Sequence, residues 1–309
     1  MANQLYDTLL GEIADPDRMF LDVPAGVGVS YRQLETLTAR VADALVRLGV
    51  APGDRVAAQV PKSVEAVVLY LGTIRAGAVF LPLNIGYTAS EVGYFLTDAT
   101  PAVFVCDPAC EVSHAAVAAS AGATLRTLGA AGEGSWCDEV ARSDDAFATV
   151  DRTRDDLAAI LYTSGTTGRS KGAMLSHDNL TSNARVLAEC WRFGPADVLL
   201  HALPIFHTHG LFVALNVALV TEASAIFLPG FEAEQIMRQL PRATSMMGVP
   251  TFYSRLLARK DFDRAACAHM RLFVSGSAPL SAETHKAFQA RTGHAILERY
   301  GMTETSMNT

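Results

Sequence analysis

A chain of 309 residues with 50% hydrophobic and 18% charged residues can bury at least one sizeable core, and it shows neither the polar bias of disorder nor a collagen-like glycine period. The formal net charge of −7 opposes binding to a nucleic-acid phosphate backbone, and no local basic patch offsets it. The five cysteines, Cys106, Cys110, Cys137, Cys190 and Cys267, are odd in number and lack paired metal spacing, which suits free thiols in a reducing compartment.

The N-terminus has no positive region followed by an apolar run, so nothing there marks secretion. The first clear element is a helix. Ser30-Tyr-Arg-Gln33 fits a capping box, Leu34, Leu37, Val41, Leu45 and Leu48 share one helical face, and Gly49 supplies a left-handed stop. Residues 55–60 then read as a strand, 63–76 as a helix, 78–83 as a strand and 101–107 as another. Residues 108–155 turn richer in Ala, Gly, Ser and Asp. We therefore expect a soft boundary near 155, with a first α/β subdomain over 1–155 and a second over 156–309. In the second half, 157–162 reads as a strand, 177–191 as a helix, and 198–203, 225–228 and 272–275 as strands. The apolar run 211–220 falls well short of the ~20 residues that span a bilayer, so no membrane partner is expected and the compartment expected is the cytoplasm. Alternating strands and helices without sequence repeats predict layered α/β subdomains with mostly parallel sheets.

The chemistry concentrates between Tyr162 and Gly172, directly after a predicted strand. Thr163, Ser164, Thr166 and Thr167 supply hydroxyl donors, Gly165, Gly168 and Gly172 allow close backbone approach, and Lys171 adds a compact positive charge. Such a loop suits phosphate. It is not a P-loop, because Gly165 to Gly168 is too short a spacing and Lys171 is followed by Gly172. A second cluster, His201, His207 and His209, has no cysteine or acid at ligand spacing, so a zinc site is the weaker reading and packed histidines the stronger. A third feature is Arg255, carried by a proline-initiated helix after Met247-Gly-Val-Pro250. It could lie on an exposed helix face, or its planar fork could grip a second carboxylate on a substrate.

The loop from Tyr162 to Gly172 resembles the phosphate-binding signature of the adenylate-forming superfamily, which includes the acyl-CoA synthetases, luciferases and peptide-synthetase adenylation domains. Three further matches follow in that family's order: Leu203-Pro-Ile-Phe-His-Thr-His-Gly210, Ser275-Gly-Ser-Ala-Pro279 and Glu298-Arg-Tyr-Gly-Met-Thr-Glu304. Within the superfamily the chain is similar to the malonyl-CoA synthetases, including Lys62-Ser-Val-Glu-Ala66 and Gly248-Val-Pro-Thr-Phe-Tyr253. The resemblance implies the N-terminal α/β domain of such an enzyme, with ATP, Mg²⁺ and coenzyme A as reactants and a small carboxylic acid as substrate. No obligatory protein partner is implied.

Carried over residue by residue, the resemblance implies that Thr163, Ser164, Gly165, Thr166, Thr167, Gly168, Lys171 and Thr303 serve the nucleotide phosphates. Tyr300 would lie against adenine, and Ser277, Ala278 and Pro279 would line the base and acyl pocket. Glu298, Arg299, Gly301 and Met302 would complete the nucleotide site. Glu304 would hold Mg²⁺, which prefers one or two carboxylates with phosphate oxygens. His207, Arg255, Ser277 and Met302 would face the acid, with Arg255 reading a second carboxylate. Thr163, Lys171 and Glu304 would carry the charge neutralisation on which in-line transfer depends. The reaction implied is conversion of malonate, or a close acid such as methylmalonate, to an acyl-adenylate and then to the coenzyme A thioester. Other acyl- or aryl-acid activation and non-catalytic nucleotide binding stay open.

The family continues past the position of Thr309 with a ribose-binding aspartate, a hinge and a small C-terminal domain. The expectation from this chain is therefore a truncated form that binds nucleotide and acid and turns over poorly.

Overall fold

The computed structural model describes residues 3–24, 26–163, 170–305 and 307. In chain order its strands are β1 (Met19–Asp22), β2 (Val29–Ser30), β3 (Arg55–Gln59), β4 (Val79–Pro82), β5 (Val103–Cys106), β6 (Thr124–Thr127), β7 (Leu157–Thr163), β8 (Lys171–Ser176), β9 (Val198–His201), β10 (Ser224–Phe227), β11 (Ser245–Gly248), β12 (Leu272–Ser275) and β13 (Ile296–Glu298). The chain forms two compact units, one of Met1–Ile13 with Tyr31–Thr181 and the other of Ala14–Ser30 with Ser182–Thr309. The change in composition sits near residue 155, whereas the packing divides at 13/14, 30/31 and 181/182.

The first unit is built on a six-stranded sheet in the order β6-β5-β3-β4-β7-β8, parallel except for the antiparallel β7–β8 pair. The expected amphipathic helix forms over Tyr31–Arg47, burying Leu34, Val41 and Leu45. It ends where Gly49 takes a φ of +87° and the Val50 N–H returns to the Leu45 carbonyl at 3.0 Å, the left-handed stop expected there. The next helix, Val64–Arg75, starts from Ser63, whose side chain accepts the Ala66 N–H. It is buried on all sides from Ala66 onward, so its sequence is apolar without a polar face. Its buried Arg75 donates to the carbonyls of Glu35 (2.7 Å) and Phe147 (2.9 Å), which satisfies a charge that burial would otherwise make costly.

The second unit holds a seven-stranded sheet, β13-β12-β11-β9-β10-β1-β2, parallel except for the β1–β2 edge. The early segment 14–30 therefore belongs with the C-terminal half of the chain, through β1 pairing in parallel with β10. β1 ends in Asp22 and β2 spans only two residues, so neither forms the continuous apolar run by which β4 and β5 are read. One face of this sheet packs on an aromatic cluster. Phe288 meets Tyr253 (5.5 Å, 89°) and Phe273 (4.9 Å, 74°), and the Tyr253 hydroxyl donates to the Val274 carbonyl at 2.5 Å. These contacts clamp the helix Pro250–Leu257 against β12. The apolar run 211–220 is buried as a π-helix, His209–Leu215, continuing into an α-helix, Asn216–Val220. Among the described residues, no helix is long and apolar enough to cross a membrane.

Candidate active site

The candidate residues fall in both units, and each set is described within its own. In the first unit, Thr163 ends β7 and Lys171 begins β8, directly opposite each other in the antiparallel register. Ser164, Gly165, Thr166, Thr167 and Gly168 lie outside the described residues. The stems of that loop are held by aromatic side chains. Tyr94 donates to the Ser170 carbonyl at 2.9 Å, and Tyr162 donates to Asp98 at 2.6 Å while its ring packs on Phe95 at 4.4 Å. Burial, and then the Asp98 carboxylate, push the Tyr162 phenol up, so it stays a donor at neutral pH. Lys171 is exposed.

In the second unit, the remaining candidates gather past the carboxyl ends of β9, β11, β12 and β13, the edge at which open α/β sheets bind ligands. The register sets Met247 beside His201, Gly248 beside Ser275, and Ser275 beside Glu298. After β9 the chain turns tightly. A Cβ on Gly210 would stand 2.0 Å from the Pro204 carbonyl oxygen, so only glycine fits, and the Gly210 carbonyl accepts from His201 Nε2 at 2.9 Å.

That turn brings His207 and His209 together. The His209 N–H donates to His207 Nδ1 at 3.3 Å, and His209 Nδ1 lies 3.2 Å from Ser277 Oγ. Ser277 is itself held at a φ of +68°, an uncommon backbone for a non-glycine residue and one enriched at functional sites. Arg299 completes the cluster. Its N–H donates to the Ser275 carbonyl at 2.8 Å and its guanidinium to the Met307 carbonyl, and burial lowers it to about 10. Burial and the Arg299 charge hold both imidazoles neutral, His207 below its ordinary value and His209 down to about 3. Leu203, Phe206, His207, His209, Val249 and Ser277 line a cavity of about 150 Å³, room for roughly five waters at about 30 Å³ each.

The strip that follows β13 is open. Tyr300 is 67% exposed and Met302 48%, Gly301 and Thr303 are half-buried, and Glu304 is exposed on the single 3₁₀ turn Thr303–Thr305. Ala278 and Pro279, in the loop after β12, are exposed, and Glu298 accepts the Leu280 N–H at 2.9 Å, so its carboxylate holds that loop. Arg255 stands apart. It is exposed and stacked over Phe231 at 4.8 Å, with Phe231 in turn on Phe252 at 4.1 Å, and it is not among the residues lining the cavity. The described residues contain no group of three His, Cys, Asp or Glu side chains that could hold a metal, so the three histidines form no metal cluster. The five cysteines are free. Sequence reasoning weighed His209 only as a possible metal ligand or a packed histidine and did not place it on the wall of a cavity. Its signal was the spacing His207-Thr-His209 directly before a buried apolar run.

A family model for AMP-binding enzymes matches residues 14–309. The chain is a member of that family. Among its relatives, the malonate–CoA ligase of Arabidopsis thaliana is 32% identical over 84% of this chain and 46% of its own length. The mitochondrial malonate–CoA ligase ACSF3 of Mus musculus is 33% identical over 90% of this chain and 51% of its own. MatB from Rhodopseudomonas palustris superposes with a TM-score of 0.98 in its apo form, at 57% identity over 100% of this chain and 61% of that one. Its ATP-bound form gives 0.97 at 58% identity. This AMP-binding enzyme chain thus spans about half the length of the curated relatives it matches. The mostly parallel α/β architecture is the one expected of the family's N-terminal domain.

Proposed function

We propose that this AMP-binding enzyme chain serves the ATP-dependent activation of malonate, or a close short dicarboxylate such as methylmalonate. The acid becomes an acyl-adenylate and then malonyl-CoA, with AMP and pyrophosphate released. The observation that carries the reading is the cavity beside Ser277. Its volume, about half the lower end of the ~300–1,000 Å³ of ordinary ligand pockets, suits an acid of a few carbons, and its lining, mostly apolar in exposed surface, includes His207, His209 and Ser277. The malonate–CoA ligases among its relatives support the same substrate class, and the ATP-bound form of MatB supports the nucleotide.

In the first step the acid's carboxylate oxygen attacks the α-phosphorus of ATP and pyrophosphate leaves with the bonding electron pair. In the second, the coenzyme A thiolate attacks the acyl carbon and AMP leaves. No side-chain nucleophile is required, so the protein's part is positioning and neutralisation of charge. Thr163, Lys171 and Thr303 would meet the phosphates, and Tyr300 offers an exposed aromatic face to the base. An exposed lone carboxylate such as Glu304 fits a Mg²⁺ that arrives already ligated by phosphate oxygens and does not fit a resident metal. Bound there, Mg²⁺ would neutralise triphosphate charge. The planar fork of Arg255 could reach for a second carboxylate only after leaving the Phe231 face.

The test is the thermal stability of the 309-residue chain with hydrolysis-resistant malonyl- and acetyl-adenylate analogues and with Mg·ATP. A ligand at 100 times its Kd adds about 2.7 kcal/mol. A larger shift for the malonyl compound supports the dicarboxylate reading, equal shifts reduce it to activation of a short acid, and no shift with any of them sinks it.

A further inference from the structure

Thr163 and Lys171 face each other as the final pair of the β7–β8 register, and β8 is the edge of its sheet. An edge strand is hydrogen-bonded on one side only, so the ladder alone fixes this pair from one side. The helix Ala89–Ala99 supplies a second support. It begins with a capping box between Thr88 and Glu91, and it buries Val92, Phe95 and Leu96 in a core shared with Leu81 of β4 and Phe104 of β5. Tyr94 and Asp98, four residues apart, lie on one helical face. Each meets the residue directly before one member of the pair. The Tyr94 hydroxyl donates to the carbonyl of Ser170, which precedes Lys171, at 2.9 Å. Asp98 accepts the hydroxyl of Tyr162, which precedes Thr163, at 2.6 Å. Between them the Phe95 ring packs on the Tyr162 ring at 4.4 Å. Gly172 closes the fit, because a Cβ there would stand 2.9 Å from Ile160 Cγ2 and 3.6 Å from the Tyr162 ring.

We propose that Tyr94 and Asp98 are positioning residues: by holding Ser170 and Tyr162 they set where Lys171 and Thr163 meet the triphosphate of ATP. The proposal rests on the phosphate role given to Thr163 and Lys171 above. Transfer without a side-chain nucleophile depends on where the neutralising groups stand, and a small displacement of such a group is expensive. A pair fixed from both sides before ATP arrives also lowers the ordering cost of binding.

The measurement is equilibrium binding of Mg·ATP to the 309-residue chain in a double-mutant cycle. Tyr94→Phe keeps the ring and removes only the hydroxyl. It is expected to weaken Mg·ATP about fivefold, the order of one neutral hydrogen bond. In a Lys171→Ala background the same change should cost less than about twofold, because the side chain it places is gone. A merely structural role would give the same factor in both backgrounds. Asp98→Leu should lose a similar factor, and Asp98→Asn, which keeps an acceptor for Tyr162, should recover most of it. Unchanged affinity in either Tyr94→Phe or Asp98→Leu, or equal factors in the two backgrounds, overturns the proposal. If Lys171→Ala binds Mg·ATP as tightly as the wild type, or the wild type fails to bind it, the phosphate reading itself falls, and this inference with it.

Discussion

The two ends of the second unit's sheet are built from similar residues and treat them in opposite ways. At the amino ends of β9, β11 and β12, Asp197 accepts from Arg271 Nε and Nη2 at 2.6 Å each, from Thr244 Oγ1 at 2.7 Å and from the Gly194 N–H at 2.9 Å. Arg271 also donates to the Trp191 carbonyl at 2.9 Å and packs over Phe193 at 5.2 Å. Asp197, Thr244 and Arg271, directly before β9, β11 and β12, thus tie the starts of these strands together. At the carboxyl ends, Ser275 Oγ and His209 Nε2 are buried with no hydrogen-bond partner among the described residues, and Ser277 sits in an uncommon backbone conformation. Ser245 Oγ, at the start of β11, is an unpaired exception at the other end. A satisfied polar cluster reads as stability, and an unsatisfied one beside a cavity reads as room left for a ligand.

The largest effect expected from this contrast lies far from the cavity. Asp197→Ala leaves the Arg271 fork and the Thr244 hydroxyl without this acceptor, and because Asp197 is buried while Arg271 is 37% exposed the cost is about 3 kcal/mol, the upper range for hydrogen bonds to a charged group. Urea denaturation should show that loss. A cost under about 1 kcal/mol would place Asp197 with ordinary surface pairs and break the comparison. At the opposite end the cost is steric. Gly210→Ala must move the Pro204 carbonyl by more than a flexible side chain could absorb, at about 3 kcal/mol, the upper range for overpacking. Its unfolding midpoint should drop with an unchanged denaturant slope.

How far the sequence anticipated this arrangement depends on element length and on chemistry per residue. The helix at 31–47 is read from its amphipathic period, and the helix at 64–75 and the strands at 55–59, 79–82 and 103–106 from apolar runs, each within a few residues. Strands β1 and β2 are not read so, and neither is β13 with three residues. The site motifs were legible as chemistry, because hydroxyls, glycines and a lysine crowd into one loop. The polar environment of His209 was not legible, since it arises from residues 68 and 90 positions away, Ser277 and Arg299, brought to it by strand order. The position of Arg255 followed from the Phe231 stack, which no local pattern announces.

Acid titration separates the two ends again, with an intermediate effect. A histidine whose folded pKa is depressed contributes full stability above its unfolded value near 6.5, and that contribution erodes as pH falls, because the unfolded chain takes up the proton first. For His209 the erosion runs from about pH 6.5 down to about 3, at about 1.4 kcal/mol per pH unit. Asp197 behaves otherwise. Burial pushes its carboxyl up, but the bonds from Arg271, Thr244 and Gly194 outweigh that and the net shift is downward, so its contribution is lost only as pH falls through the acidic range below its unfolded value. Between pH 6.5 and 5, His209→Phe should therefore remove about 2 kcal/mol of the pH dependence of unfolding, while Asp197→Ala should leave that slope unaltered. Equal slopes in the wild type and His209→Phe would mean that the imidazole is already hydrated in the folded chain.

The smallest expected change in stability is at Arg255. An exposed cation over an aromatic face is worth about 0.5–1 kcal/mol, and Phe231 keeps its stacking on Phe252 when the guanidinium is gone. Arg255→Ala should therefore lower the unfolding free energy by about 0.5 kcal/mol, measured at neutral pH where every other feature of the helix Pro250–Leu257 is retained. A loss several times larger would mean that Arg255 braces the helix, and any change in ligand affinity would then be indirect. With stability nearly unchanged, a selective loss of affinity for the malonyl-adenylate would assign the guanidinium to the acid's second carboxylate, and its displacement from Phe231 would be part of binding. Retention of that affinity would leave Arg255 as the exposed stacking residue it is in the free chain.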